Sequence, residues 1–215
     1  MTAARWDAVI FDYGGVLSYA PARQDIAQFA EGSGLDEDTF YTLYTETREY
    51  YRLAEVSYKA LWHRVAKAAG ITISEATVKG FIDRESDLWT RPNSDTLTLA
   101  REAKAGGSKI AVLSNMTSEL LEILRGKFDW LDEFDVKIWS CETGCAKPDA
   151  VIYRDCLRQL GCVPEKSLFF DDRPENVEAA RRVGIDAHVF ESAGQARAIV
   201  ERGPGQPQAD GASQK

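Results

Sequence analysis

The chain has 215 residues, 44% hydrophobic and 28% charged, which allows a sizeable buried core and argues against disorder as the default state. A net charge of -8 disfavours a general nucleic-acid or anionic-membrane surface, while a local cationic pocket for a small anion stays open. No apolar run reaches the roughly 18 residues of a membrane span and no basic start leads a secretory segment, so a cytoplasmic protein with no nucleic-acid or membrane partner is expected.

The first predicted element is a strand over Ala8–Phe11, an apolar, partly β-branched run suited to burial on both faces. It leads into Asp12 and then Gly14 and Gly15, a pair that suits a sharp turn with close backbone approach. A carboxylate at that end of a strand stands where open α/β sheets bind ligands. From Ser18 to Asn93 the pattern turns helical, as expected of an insertion. Residues 21–30 predict a helix with Pro21 near its first turn. A second helix begins at Asp36, with Asp38 or Thr39 as its cap and Phe40, Leu43 and Tyr44 at helical spacing. Residues 57–69 predict a third, with Leu61, Val65 and Ala68 on one stripe before Gly70, and residues 74–89 a fourth, with Val78, Phe81, Ile82 and Leu88 turned inward.

Beyond Asn93 helix and strand alternate. A helix over Ser94–Ala105 precedes a strand over 109–113 that ends in Ser114 and Asn115. A helix over 118–124 precedes a strand over Val136–Trp139. Pro148 opens a helix over 149–160 stopped by Gly161, a strand over 167–170 ends in Asp171 and Asp172, and a helix over 174–183 closed by Gly184 precedes a last strand over 187–190. The expected fold class is α/β, a Rossmann-like parallel sheet with helices on both faces plus an inserted helical cap. The core domain is then 1–17 and 94–202, the cap 18–93, and 203–215 a disordered tail. Cys141, Cys145, Cys156 and Cys162 lack paired spacing and have only His63 and His188 to join them, which predicts reduced thiols.

In a parallel sheet the carboxyl ends of the strands share one edge. Asp12, Ser114 with Asn115, Lys147 and Asp171 with Asp172 therefore converge there. This set suits phosphoryl transfer, in which a metal and cations neutralise phosphate charge while a carboxylate attacks in line. Asn176 is either a contact at the site's edge or a helix-face residue.

The motifs Phe-Asp-Tyr-Gly-Gly-Val-Leu at 11–17, Leu-Ser-Asn at 113–115, Ala-Lys-Pro-Asp at 146–149 and Phe-Phe-Asp-Asp-Arg-Pro-Glu-Asn at 169–176 resemble, in order and position, those of the haloacid dehalogenase-like hydrolase superfamily with a helical cap. The resemblance implies a Mg²⁺-dependent phosphatase acting on a small phosphorylated substrate. It makes Asp12 the nucleophile that forms an aspartyl-phosphate. Mg²⁺ would be held by Asp12, the Gly14 carbonyl, Asp172 and, directly or through water, Asp171. Ser114 and the Asn115 amide would meet phosphoryl oxygens, and Lys147 would offset negative charge. Either a monomer or a homodimer fits.

Phosphatases of this superfamily typically carry an acid–base Asp two residues after the nucleophile, where this chain has Gly14. Three readings fit that difference: a phosphatase using a good leaving group, such as a sugar 1-phosphate or acyl phosphate, or borrowing an acid; a metal-independent 2-haloacid dehalogenase, for which Asp171 and Asp172 have no use; or a regulatory binding protein that keeps the fold. His63 is a candidate for the missing acid, and Tyr44, Arg48, Tyr51 and Arg52 are either a substrate-facing set or a packing stripe.

Overall fold

The run Ala-Val-Ile-Phe becomes a central strand because all four side chains find apolar partners, two on each face of a sheet. The structure, a computed structural model, describes residues 5–32, 35–48 and 57–205. Strand β1 is Ala8–Phe11, and β2 Lys109–Ser114, β3 Val136–Trp139, β4 Ser167–Asp171 and β5 Asp186–Val189 complete a sheet in the order β3-β2-β1-β4-β5. Every pairing is parallel, with Phe11 in register with Val112 on one side and Phe170 on the other.

Alternation along β1 sorts the core into two layers. Val9 and Phe11 pack with Ile110, Val112, Leu168 and Phe170, whereas Ala8 and Ile10 pack with Ala111, Leu113 and Phe169. The first layer is covered by helices α5 (Ser94–Ala105) and α6 (Ser118–Lys127) and by α10 (Ala193–Arg202), the second by α8 (Ala150–Leu160) and α9 (Pro174–Arg182). The chain winds outward from β1 in both directions, so the crevice at the carboxyl end of β1 is the switch point at which such sheets bind ligands.

Between β1 and α5 lie α1 (Arg23–Ala27), a 3₁₀ turn at Ala30–Gly32, α2 (Glu37–Arg48), α3 (Tyr58–Ala68) and α4 (Glu75–Trp89). These share an aromatic core of Phe29, Phe40, Tyr44, Trp62 and Phe81, with the Trp62 and Phe81 rings 4.6 Å apart. The two linkers of this insert lie side by side. Tyr19 N–H donates to the Arg91 carbonyl and Asn93 N–H to that of Leu17, each at 2.9 Å. The Ser18 hydroxyl lies 2.7 Å from the Trp89 carbonyl and 3.1 Å from that of Arg91.

Several boundaries differ from the sequence reading. The helix expected at 21–30 is only the short α1 followed by the 3₁₀ turn. Helix α2 is capped by Asp36, whose carboxylate takes the Thr39 N–H at 2.9 Å, and not by Asp38 or Thr39. On α3 the buried stripe is Leu61, Trp62, Val65 and Ala66; Ala68 is exposed. Pro148 precedes α8 instead of opening it, since Asp149 is the N-cap and accepts from Val151 N–H. The short α7 (Ser140–Thr143) and α10 were not expected. The tail expected at 203–215 lies outside the described residues beyond Gly205. No described helix is long and apolar enough to cross a membrane.

Candidate active site

Because β1 is central, the residue that follows it is flanked by the ends of β2 and β4. Asp12 N–H still donates to the Phe170 carbonyl at 2.9 Å, which holds its side chain at the sheet edge. There it meets Lys147, whose ammonium Nζ lies 2.9 Å from Asp12 Oδ1 and 2.6 Å from Asp171 Oδ2. Lys147 is 1% exposed and Asp171 is fully buried, so this is a desolvated triad. Such groups persist only when each charge is satisfied. Both Asp171 oxygens have partners: Oδ1 also accepts from Arg173 N–H and from Asn176 Nδ2, each at 2.9 Å. The Tyr153 hydroxyl in turn donates to the Asn176 carbonyl at 2.9 Å.

Lys147 has no regular structure to hold it, and Asn115 supplies the substitute. Its side-chain amide donates to the Lys147 carbonyl and accepts from the Lys147 N–H, both at 2.8 Å. That side chain thereby positions Lys147 through its oxygen and one of its two N–H groups. Among the described residues, Ser114, 2% exposed at the end of β2, has only a long 3.5 Å contact from its hydroxyl to the Asn115 carbonyl.

Asp172 sits at the rim, exposed. Gly15 adopts φ +74°, and a Cβ there would lie 2.6 Å from Asp172 Oδ2, so the bare backbone at Gly15 makes room for this carboxylate. At Gly14 a Cβ would lie 2.9 Å from Cζ3 of Trp89, the last residue of α4. The indole thus occupies the space in which a side chain at position 14 would begin.

Burial pushes the Asp12 carboxyl up to about 7; Lys147 pulls it down, and Asp171 and Asp172 add to the rise. Burial opposes the Lys147 ammonium, but Asp12 and Asp171 outweigh it and hold the lysine above its ordinary value. Asp172 is raised to about 6 by the protein around its carboxyl and then by Asp171, although the residue opens to solvent. One oxygen from each of Asp12, Asp171 and Asp172 lies within 4.8 Å of the others. Three carboxylates facing one ammonium leave an excess of negative charge in a set of hard oxygen donors, which fits a divalent cation such as Mg²⁺.

The remaining candidates separate. His63 is exposed on α3 with Nε2 3.3 Å from Glu75 Oε1, and it does not line the crevice. Tyr44 lines the crevice beside Asp12, while its hydroxyl donates to buried Glu85 at 2.8 Å. Tyr51, Arg52 and the side chain of Arg48 lie outside the described residues. Asn176 is a buried partner of Asp171, the structural form of a site-edge role. No sequence motif marks Trp89 or Tyr41, yet both line the crevice beside Asp12. A helix-terminal Trp carries no motif, and only the fold brings it against Gly14.

The model of the haloacid dehalogenase-like hydrolases matches residues 6–184. A sesquiterpene phosphatase of Aspergillus oryzae is 28% identical over 188 residues, covering 86% of this chain and 90% of that protein. A phosphorylated carbohydrates phosphatase of Thermotoga maritima is 38% identical over 87 residues, 40% of each chain. A solved enzyme of the same family from Bacteroides thetaiotaomicron, in complex with magnesium and inorganic phosphate, superposes with a TM-score of 0.67 at 18% identity, covering 86% of this chain and 94% of that one.

Proposed function

The chain belongs to the haloacid dehalogenase-like hydrolases, and on that premise we propose that it is a Mg²⁺-dependent phosphatase of a small phosphate monoester, working through Asp12. The observation that carries this reading is the triad: a carboxylate at the switch point, held by a fully buried lysine, with two further carboxylates beside it. Asp12 Oδ1 accepts from Tyr13 N–H at 2.6 Å as well as from Lys147, which turns Oδ2 to the substrate. An Asp12 oxygen forms the new bond to phosphorus as the ester P–O bond breaks and the alcohol oxygen leaves with the electron pair. Water then attacks the aspartyl-phosphate, releasing inorganic phosphate and restoring the carboxylate. Asp12 and Asp172, the Gly14 carbonyl and, through water, Asp171 would hold Mg²⁺, which supplies charge neutralisation for the phosphoryl group.

Ser114 and the Asn115 backbone N–H face the phosphoryl oxygens, and Lys147 is a second counter-charge. The helical insert serves as the cap that shields the site from water. With glycine at position 14, no side chain there protonates the leaving alcohol. Positioned acid–base help is typically worth about 10²- to 10⁴-fold, so the rate depends steeply on the acidity of the leaving alcohol. One relative is named for a sesquiterpene and another for phosphorylated carbohydrates, so the family leaves the alcohol open.

The experiment is a panel of phosphate monoesters and acetyl phosphate, assayed for released phosphate with Mg²⁺ and with EDTA. Mg²⁺-dependent turnover is expected, lost in Asp12→Asn with the circular dichroism of the fold retained. A wild type inactive on the whole panel would instead support a binding protein, and halide release from a 2-haloacid in EDTA a dehalogenase.

A further inference from the structure

Next to Asp12 lies a cavity of about 340 Å³, within the range of small-molecule sites, and its walls are of two kinds. One holds Asp12, Ser114, Lys147 and Asp172. The other, where the alcohol half of a monoester must lie, is built by Ile26, Tyr41, Tyr44, Trp89, Met116 and Leu120.

Several polar groups on or beside that second wall are engaged elsewhere. The Tyr44 hydroxyl donates to Glu85 at 2.8 Å, and the Thr45 hydroxyl lies within 3.0 Å of the Tyr41 and Thr42 carbonyls. The Tyr13 hydroxyl donates to the Trp89 carbonyl at 2.8 Å. Arg173, at the far rim, pairs through Nε and Nη2 with Glu175. Among the described lining residues the only other cation is Lys147, already bound by two carboxylates. Sugar hydroxyls or a second anionic group placed here would lose water for few partners, whereas a hydrocarbon would exchange water for aromatic and aliphatic contact.

We infer that the substrate, on the phosphatase reading above, is the monophosphate of an apolar alcohol whose hydrocarbon part lies against Trp89, Tyr41 and Ile26. The indole that excludes a side chain at position 14 is then also the floor of the alcohol site.

The test separates this inference from the reading beneath it. Acetyl phosphate is too small to use the wall and needs no acid, so it reports the chemistry alone. Octyl phosphate and glucose 6-phosphate are both primary esters, and the sugar hydroxyls make glucose the better leaving group, so chemistry alone favours the sugar. We expect kcat/KM for octyl phosphate to exceed that for glucose 6-phosphate by at least about tenfold, the scale that apolar pocket contacts deliver. Calorimetry with Mg²⁺ present, which needs no turnover, should show octylphosphonate binding at least about tenfold tighter than methylphosphonate. Acetyl phosphate hydrolysis with equal or better use of glucose 6-phosphate, or equal affinity for the two phosphonates, overturns the apolar-alcohol inference and leaves the phosphatase. Tight octylphosphonate binding without hydrolysis of acetyl phosphate or any ester overturns the phosphatase and leaves an apolar anion-binding site.

Discussion

At position 14 the chain lacks more than a carboxylate; it lacks the room for one. The 2.9 Å separation between a Cβ there and Trp89 Cζ3 means that restoring the acid requires the indole to move. Gly14→Asp alone should therefore lower kcat for an alkyl phosphate and destabilise the fold, overpacking being worth about 1–3 kcal/mol. Gly14→Asp combined with Trp89→Ala should exceed Trp89→Ala alone in kcat by at least about tenfold and add a new limb to its pH–rate profile. An unchanged profile in the double variant would mean that the carboxylate does not reach the leaving oxygen. Lys147 gives a second expectation. Lys147→Met leaves Asp171 buried with its cation gone, which should cost about 3–5 kcal/mol in urea denaturation, whereas Lys147→Met with Asp171→Asn should recover much of that loss. Asp12, Ser114, Lys147, Asp171 and Asp172 were legible in the sequence because each ends or follows an apolar strand, and strand ends meet at one edge. The commitment of the Asn115 amide to Lys147 was not, because the partner lies 32 residues away and no local pattern encodes the pairing.

Among the elements, the strands and most helices were legible because apolar runs and helical spacing are local signals; their caps were not singled out, although Ser57, Ser74 and Asn93 each accept from the N–H three residues on, at the starts of α3, α4 and α5. Helix α10 was not legible, because its sequence begins Ala-Gly and offers only Ile199 and Val200 as large apolar residues; it is held by Ser192 as its cap, by buried Ala196 and by Trp6 Nε1, which donates to the Val200 carbonyl at 3.2 Å. Tertiary contact decided that segment. The linkers between sheet and insert were equally silent in sequence, yet they join at one residue: fully buried Ser18 lies within hydrogen-bond reach of two carbonyls at the exit from α4. Ser18→Ala removes that donor and should cost about 0.5–1.5 kcal/mol of stability, the net worth of one hydrogen bond, because the Trp89 carbonyl keeps the Tyr13 hydroxyl and the Arg91 carbonyl keeps the Tyr19 N–H. If Trp89 is placed by this junction, Ser18→Ala should also raise KM for an apolar ester more than for acetyl phosphate. An equal effect on both would limit Ser18 to stability.

For the molecule as a whole, the site stores unfavourable electrostatics that a cation relieves. In the metal-free fold Asp12 is raised to about 7 from an ordinary carboxylate value near 4, so between those values the folded chain binds more protons than the unfolded one. Its contribution to stability is therefore greatest in acid and is lost as pH climbs towards about 7. Mg²⁺ acts with the opposite sign, since it binds the ionised carboxylates and must displace a proton below that value. At a concentration one hundred times its Kd, a ligand of the folded state alone adds about 2.7 kcal/mol. At about 2–4 °C per kcal/mol for a chain of this size, that is a rise in Tm of roughly 5–10 °C. With the Mg²⁺ concentration fixed to meet that condition at pH 8, the rise should be clearly smaller at pH 6, and calorimetry at pH 6 should detect protons released on binding. Asp12→Asn, which cannot ionise, should flatten the pH dependence and weaken the response. A Tm rise equal at the two pH values in the wild type, or undiminished in Asp12→Asn, would place the cation away from Asp12 and undo the assignment of that carboxylate to both metal and substrate.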